Sequence, residues 1–261
     1  MVEFCKNYIK SKNANVSIKY TTALNVLEIE LTSFCNCNCN NCDRLVDSAP
    51  TNDMMSIEQI EDLVRESNDL NYNWFDIRIM GGEPTLHPDI IEILKLLKTI
   101  KNYKKLRIIT NGIGDKVNGV LNNIKSQNID IGINNSVDRY INCEKINGKL
   151  HVPDYRNVLN APVDRGICNI NTCQITSTCG LGLCKYGYLP CGCGAAIGRV
   201  IGLDFFFKKL KDISVDKCNE RLSVLCALCG GNLEHKVDLI HNSDVSDFWK
   251  LILDKYNKRK D

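Results

Sequence analysis

Fifteen cysteines in 261 residues constrain this chain more than any other feature. Disulfides would suit a small secreted domain that lacks a core of its own. This chain is long enough to bury a full core, and its start, MVEFCKNYIKSKN, has no apolar stretch of signal-peptide type. The odd count also fits poorly with a fully paired set. A reducing, cytoplasmic setting is therefore expected, with thiolates serving as metal ligands. No segment reaches the roughly 18 consecutive apolar residues of a membrane span, so no membrane partner is expected. A net charge of +2 offers no basic surface of the kind that nucleic acid selects.

The densest group reads Cys35-Asn-Cys37-Asn-Cys39-Asn-Asn-Cys42. Cys35, Cys39 and Cys42 make a C-x3-C-x2-C set. A four-iron cluster normally takes four thiolates, so three leave one iron with no protein ligand. An open coordination position marks a reactive site rather than a structural one. A zinc knuckle would want a fourth ligand close by, which this spacing does not supply. Cys37 is read as a bystander, because using it would give spacings no cluster motif favours.

Around this group the first two-thirds of the chain alternate strand and helix signals. Leu27, Ile29 and Leu31 alternate with Glu28 and Glu30, which predicts a strand near 25–32. Ser56 and Gln59 form a capping box ahead of a helix. A second strand is expected over 74–80, then a helix from Pro88 to about Ile100, a third strand over 106–110, a helix near 115–126 and a strand over 129–134. Weaker strand signals lie at 148–152 and 163–168. Such repeats build a parallel sheet, and ligand chemistry collects at the C-terminal ends of its strands. The cysteine loop, Gly81-Gly82-Glu83-Pro84 and Thr110-Asn111-Gly112 all follow strands at that edge. Late in the chain, Tyr186–Pro190 and Ala195–Val200 are expected to be short strands, Leu203–Lys211 a short helix, and Ser246–Tyr256 a last helix.

The C-x3-C-x2-C loop, followed by one helix, one strand and Gly-Gly-Glu-Pro, resembles the radical SAM family. The resemblance covers about 25–235. It implies a partial (β/α)6-type α/β barrel and two cofactors, a [4Fe-4S] cluster and S-adenosyl-L-methionine. The open iron would take the methionyl amine and carboxylate, and the reduced cluster would release a 5′-deoxyadenosyl radical that abstracts a substrate hydrogen. It further implies contacts to the cofactor from Gly81, Gly82, Glu83 and Pro84, with Glu83 as a charged acceptor for the methionyl ammonium. Thr110, Asn134 and Ser136, at later strand ends, are further candidates. An electron donor such as flavodoxin or ferredoxin would be a partner. One departure is Asn41, where the family usually carries an aromatic residue. His87 is read as a helix-entry residue.

Nine cysteines fall between Cys168 and Cys229. Tyr186-Gly187-Tyr188-Leu189-Pro190-Cys191, Cys173 and the pair Cys226-Ala-Leu-Cys229 resemble the twitch domain of two-cluster radical SAM enzymes. That resemblance suggests an auxiliary cluster on Cys173, Cys191, Cys226 and Cys229. Gly187 lies four residues before Cys191 where the pattern usually has five, and Cys168, Cys179, Cys184, Cys193 and Cys218 are possible substitutes. No cysteine follows Cys229, which argues against the larger SPASM domain. The expected organisation is an extension over 1–24, a core over 25–167, an auxiliary domain over 168–235 and a helix and tail over 236–261. The resemblance points to oxidation of a small, carbohydrate-like molecule. A peptide substrate is the alternative, and a noncatalytic iron–sulfur or zinc protein is the alternative of another class. No catalytic acid or base can be named.

Overall fold

The computed structural model describes residues 2–12, 22–135, 137, 144–146, 149–151, 158–165, 173–232 and 245–258. The main sheet has six strands in the order β4-β3-β2-β1-β7-β8. These are β1 (Val26–Glu30), β2 (Asp76–Met80), β3 (Leu106–Thr110), β4 (Gly132–Asn135), β7 (Leu181–Cys184) and β8 (Gly187–Leu189). All neighbours run parallel except β7 and β8, which form a hairpin. A separate hairpin pairs β5 (Glu144–Ile146) with β6 (Lys149–His151). The mostly parallel sheet fits the expected partial barrel, and the cysteine-rich late segment lies beside it.

β1 is the central strand, and all five of its residues are buried. Leu27 and Ile29 enter the main core with Ile77, Ile79 and Ile108. Each such side chain contributes about 1.5–3 kcal/mol by leaving water. Helix α2 (Ile57–Asp69) starts at the expected capping box, with Ser56 and Gln59 bonding reciprocally. It packs on α3 (Ile90–Leu97) over this core, and α4 (Asp115–Ser126) adds Val117, Leu121 and Ile124.

The other side of the sheet meets a second core. After the short α5 (Ile175–Thr178) and ahead of α7 (Val215–Leu225), helix α6 (Gly192–Ile201) packs on β1, β7 and β8. Around it gather α1 (Val2–Ser11), through Cys5, and α8 (Asp247–Asn257), through Phe248, Trp249 and Ile252. The two ends of the chain thus meet, with Tyr8 and Phe248 rings 4.8 Å apart. The sheet runs on past residue 167, since β7 pairs with β1 and β8 with β7.

Three expectations for the late segment are corrected. Ala195–Val200 is helical, not a strand. Every residue of α6 is buried, so the solvent-facing side that reveals a helix by its period is missing. Leu203–Lys211 is mostly irregular, with one isolated bridge at Phe207; only Leu210–Asp212 forms a 3-10 turn. Its apolar residues sit at helical spacing, but Phe207 exchanges backbone hydrogen bonds with Tyr188 at 2.8 and 2.9 Å. Residues 162–165 form a 3-10 turn instead of a strand, and 166–168 lie outside the described residues. The helix expected from Pro88 is shorter, spanning Ile90–Leu97.

The inner face of β1, β2 and β3 carries charge. Arg78 bonds Asp76 at 2.7 Å and Glu28 at 3.3 Å, and Arg107 bonds Asp76 at 2.5 Å. Burial opposes ionisation of Asp76, but the two arginines outweigh it and hold its carboxyl below the usual carboxylate range. A depressed folded pKa means stability that is present above the unfolded value and lost as pH falls through the folded one. Asp76→Asn is expected to cost about 2 kcal/mol at pH 7, because both arginines retain some solvent. Urea unfolding should show this gap, and it should narrow as pH drops below about 4. A gap independent of pH would contradict it.

Candidate active site

Because β1, β2, β3 and β4 are parallel, the loops after them share one edge of the sheet. The cysteine loop follows β1, and the Gly81–Pro84 segment follows β2. The two are zipped together by backbone bonds. Leu31 N donates to Met80 O at 2.9 Å, Gly82 N to Thr32 O at 2.7 Å and Glu83 N to Phe34 O at 2.9 Å. This pairing runs to the residue before Cys35. The approach is close enough that the glycines are obligatory. A Cβ on Gly82 would fall 2.2 Å from Phe34 O. Gly81 has φ +147°, and a Cβ there would fall 2.4 Å from Thr32 O.

Glu83 ties together the strand ends at this edge. It is wholly buried. One carboxylate oxygen accepts from Thr85 N, Thr85 Oγ1 and Thr110 Oγ1 at 3.1, 2.6 and 2.8 Å. The other accepts from Asn111 N at 2.8 Å. The carboxylate therefore ties the end of β3 to the Gly81–Pro84 segment. Thr110 is likewise buried as one of its donors. Pro84 opens a 3-10 turn that Glu83 caps. His87 behaves as expected of a helix-entry residue: its Nδ1 accepts from Asp89 N at 3.1 Å, and Nε2 lies 2.9 Å from Met55 O. Asn134 is exposed on β4, and Ser136 lies outside the described residues.

Asn36 and Asn111 complete the mouth. Asn111 Nδ2 donates to Asn36 Oδ1 at 2.8 Å and approaches Cys35 Sγ at 3.8 Å, while Asn36 Nδ2 donates to Ile113 O at 2.7 Å. Of the two, only Asn111 is marked in the sequence, where the resemblance puts it near the cofactor with a turn cap as the alternative. Asn36 was not singled out, hidden among four asparagines of one loop.

Cys35, Cys39 and Cys42 sit on this loop. Cys42 N donates to Cys39 O at 3.3 Å, forming a turn. Cys37 N donates to Cys35 Sγ at 3.3 Å, so Cys37 stands beside the first cysteine of the set. Contact with the Cys37 thiol and burial raise the Cys35 thiol. Burial, with Asp43 adding to it, pushes Cys42 up to about 12. Thiols this crowded and desolvated become thiolates once a multivalent cation lies among them, which is how a metal ligand set behaves. The donor set therefore fits an iron cluster.

A second group forms across α6. Cys191 caps that helix, with Sγ accepting from Gly194 N at 3.2 Å. Burial raises the Cys191 thiol, and the neighbouring Cys229 and Cys173 raise it further. Burial pushes Cys229 up to about 12, and Cys173 acts in the same direction. Cys193 joins this group, its Sγ 4.0 Å from Asp43 Oδ2. Cys226 is buried one 3-10 turn before Cys229. Cys184 faces the second core, Cys218 belongs to the main core, and Cys179 lies beside Glu28 and Arg78. Cys168 lies outside the described residues. Among the described residues, no three of His, Cys, Asp and Glu converge on a single-ion site. A four-iron cluster asks for a wider spacing, with a thiolate on each iron.

A family model described as Radical SAM superfamily matches residues 29–183, which includes the cysteine loop, the Gly81–Pro84 segment and the strands between. The chain belongs to the radical SAM superfamily. Among curated relatives, a probable GTP 3′,8-cyclase of Methanococcus aeolicus is 37% identical over 89 residues, covering 33% of this chain and 29% of that protein. The GTP 3′,8-cyclase of Aquifex aeolicus is 32% identical over 98 residues, covering 36% and 30%. The radical SAM chain thus spans under a third of the length of these relatives. A crystal structure of BtrN in complex with AdoMet and 2-DOIA aligns with 93% of this chain and 91% of its own, at 16% identity and a TM-score of 0.46. Membership implies a [4Fe-4S] cluster and S-adenosyl-L-methionine. Among the described residues, no helix is long and apolar enough to cross a membrane.

Gly82→Ala should force the backbone at Phe34 away and reduce iron bound at the first group to well under half of wild type after anaerobic reconstitution. Gly119→Ala is the control. Its Cβ would meet nothing within 4 Å inside α4, so stability should rise by about 0.5–1 kcal/mol with iron unchanged. Full iron content in Gly82→Ala would contradict the proposed link between the two loops.

Proposed function

We propose that this radical SAM enzyme binds its first cluster through Cys35, Cys39 and Cys42 and oxidises a small molecule. On this reading residues 168–235 carry a second, twitch-like cluster on Cys173, Cys191, Cys226 and Cys229. The observation that carries the first part is the backbone zipper between residues 31–34 and Met80–Glu83, which joins a three-thiolate loop to a glycine-lined strand end. When bound, the cluster and S-adenosyl-L-methionine supply one-electron reduction and a hydrogen-abstracting radical.

The chain's own residues bind and orient. Three thiolates leave one iron free for the cofactor. Gly81 and Gly82, lacking side chains, let backbone carbonyls approach the methionyl ammonium. Glu83 and Thr110 hold that backbone rigid, while Asn134 and Ser136 are offered as contacts from the β4 edge. Cys37 remains outside the ligand set. The second group supports an electron-accepting cluster, because Cys191, Cys226 and Cys229 are buried, Cys226 and Cys229 bracket one 3-10 turn, and the half-buried Cys173 lies close enough to Cys191 and Cys229 to raise both thiols. A cluster with all four irons held by thiolates suits electron transfer, and so supports net oxidation. A flavodoxin- or ferredoxin-like donor would supply the first electron.

A carbohydrate-like substrate is the favoured class. A nucleotide is the second reading, favoured by the similarity to proteins named GTP 3′,8-cyclase. A panel of sugars, aminocyclitols, peptides and GTP would separate these by which one accelerates 5′-deoxyadenosine release.

Reconstituted protein should hold roughly eight irons per chain, in two four-iron clusters. Cys39→Ala should keep about four of them and lose cofactor cleavage, whereas Cys37→Ala should retain both. Loss of the first cluster in Cys37→Ala would overturn the ligand choice. Zinc in place of iron would overturn the reading as a whole.

A further inference from the structure

We infer that Arg44 is a positioning residue that locks the first cysteine loop onto the second cysteine group and supplies a fixed positive charge shared between them. The inference rests on the reading that Cys191 and its neighbours hold a second cluster.

Arg44 follows Cys42 by two residues, and its side chain is only 3% exposed. Arginine is seldom buried unless it is paired, and here the pairing has a direction. Nη2 donates to Glu28 Oε2 at 2.6 Å and reaches Met80 Sδ at 3.2 Å. One guanidinium thereby fastens the end of the cysteine loop to β1 and to the residue before Gly81. Its carbonyl accepts from Arg199 Nη2 at 3.0 Å, which fastens the same loop to α6.

The guanidinium also touches the second group. Gly192, directly after Cys191, is an ordinary helical residue with no positive φ. What forbids a side chain there is Arg44, since a Cβ would fall 1.8 Å from its Nη1 and 2.4 Å from Glu28 Oε2. Asp43, between Cys42 and Arg44, lies 4.0 Å from Cys193 Sγ. A segment of three residues, Cys42-Asp43-Arg44, therefore spans from one thiol group to the other.

Charge matters at such a place. Arg44 meets two carboxylates, Glu28 at 2.6 Å and Asp43 at 3.6 Å, so its guanidinium is the charge that offsets acid groups held beside both sets of thiols. In a buried setting a fixed charge acts strongly over a few ångströms. A cluster's potential depends on nearby charge, hydrogen bonding and exposure. A cation held against the Cys191 turn makes the reduced cluster easier to form. Lysine would keep the charge but not the forked geometry.

The test uses the reconstituted holoprotein, with iron content and EPR-monitored redox titration of both clusters as readouts. Arg44→Met should lower the midpoint potential of the auxiliary cluster and reduce iron at the first group. Arg44→Lys should restore the potential towards wild type. Should Arg44→Met lose its iron, Gly192→Ala serves instead. It retains the charge but pushes the guanidinium off the Cys191 turn, and should shift the auxiliary potential alone. Unchanged potentials in Arg44→Met at full iron, or in Gly192→Ala, would overturn the role of Arg44. So would an Arg44→Lys protein indistinguishable from Arg44→Met. Only about four irons in wild type would instead overturn the second cluster, and this inference with it.

Discussion

The Glu83 carboxylate collects four hydrogen bonds from three residues and is closed off from water. Such a group is costly to bury unless fully paired, and once paired it admits little movement. It joins the ends of β2 and β3, while the backbone around it is zipped to the residues ahead of Cys35. The position of the cysteine loop therefore follows from the register of β1 against β2. In that register Glu30 faces Met80, and each loop leaves the sheet beside the other. Chemistry at this edge depends less on any one ligand than on this junction.

The second cysteine group is tied to the same sheet by other means. Gly182 in β7 admits the start of α6, where a Cβ would meet Cys191 O and Gly192 Cα at 2.7 Å. Helices from both ends of the chain then close over α6. The late segment is thus supported by apolar packing as well as by any metal. β1 lies between the two cores, and its glutamates, with Arg44 and Arg78, form the polar layer that separates them.

The radical SAM core was largely legible because its signals are local. The alternation in β1, the Ser56–Gln59 box and the three strand-end motifs each occupy a few residues. The late segment was not, because its structure is decided by tertiary contacts. Helix α6 is buried all round and shows no polar face, and Phe207 is drawn into pairing with Tyr188 against its helical spacing. Glu28, Asp76, Arg78 and Arg107 alternate with apolar residues along their strands, a pattern that does not say which face is covered. They are ion-paired on the inner face, which only the fold can reveal. The internal bonds of Glu83 were hidden for a similar reason. A carboxylate beside two glycines suggests a free acceptor, and its four donors come from residues up to 28 positions away.

The central claim is that three thiolates leave one iron able to take a cofactor. EPR of the anaerobically reduced protein, before and after adding S-adenosylmethionine, tests it most directly. A changed cluster signal in wild type that disappears in Cys39→Ala is the expected result. A wild-type spectrum indifferent to the cofactor, in protein with its full iron content, would contradict the account.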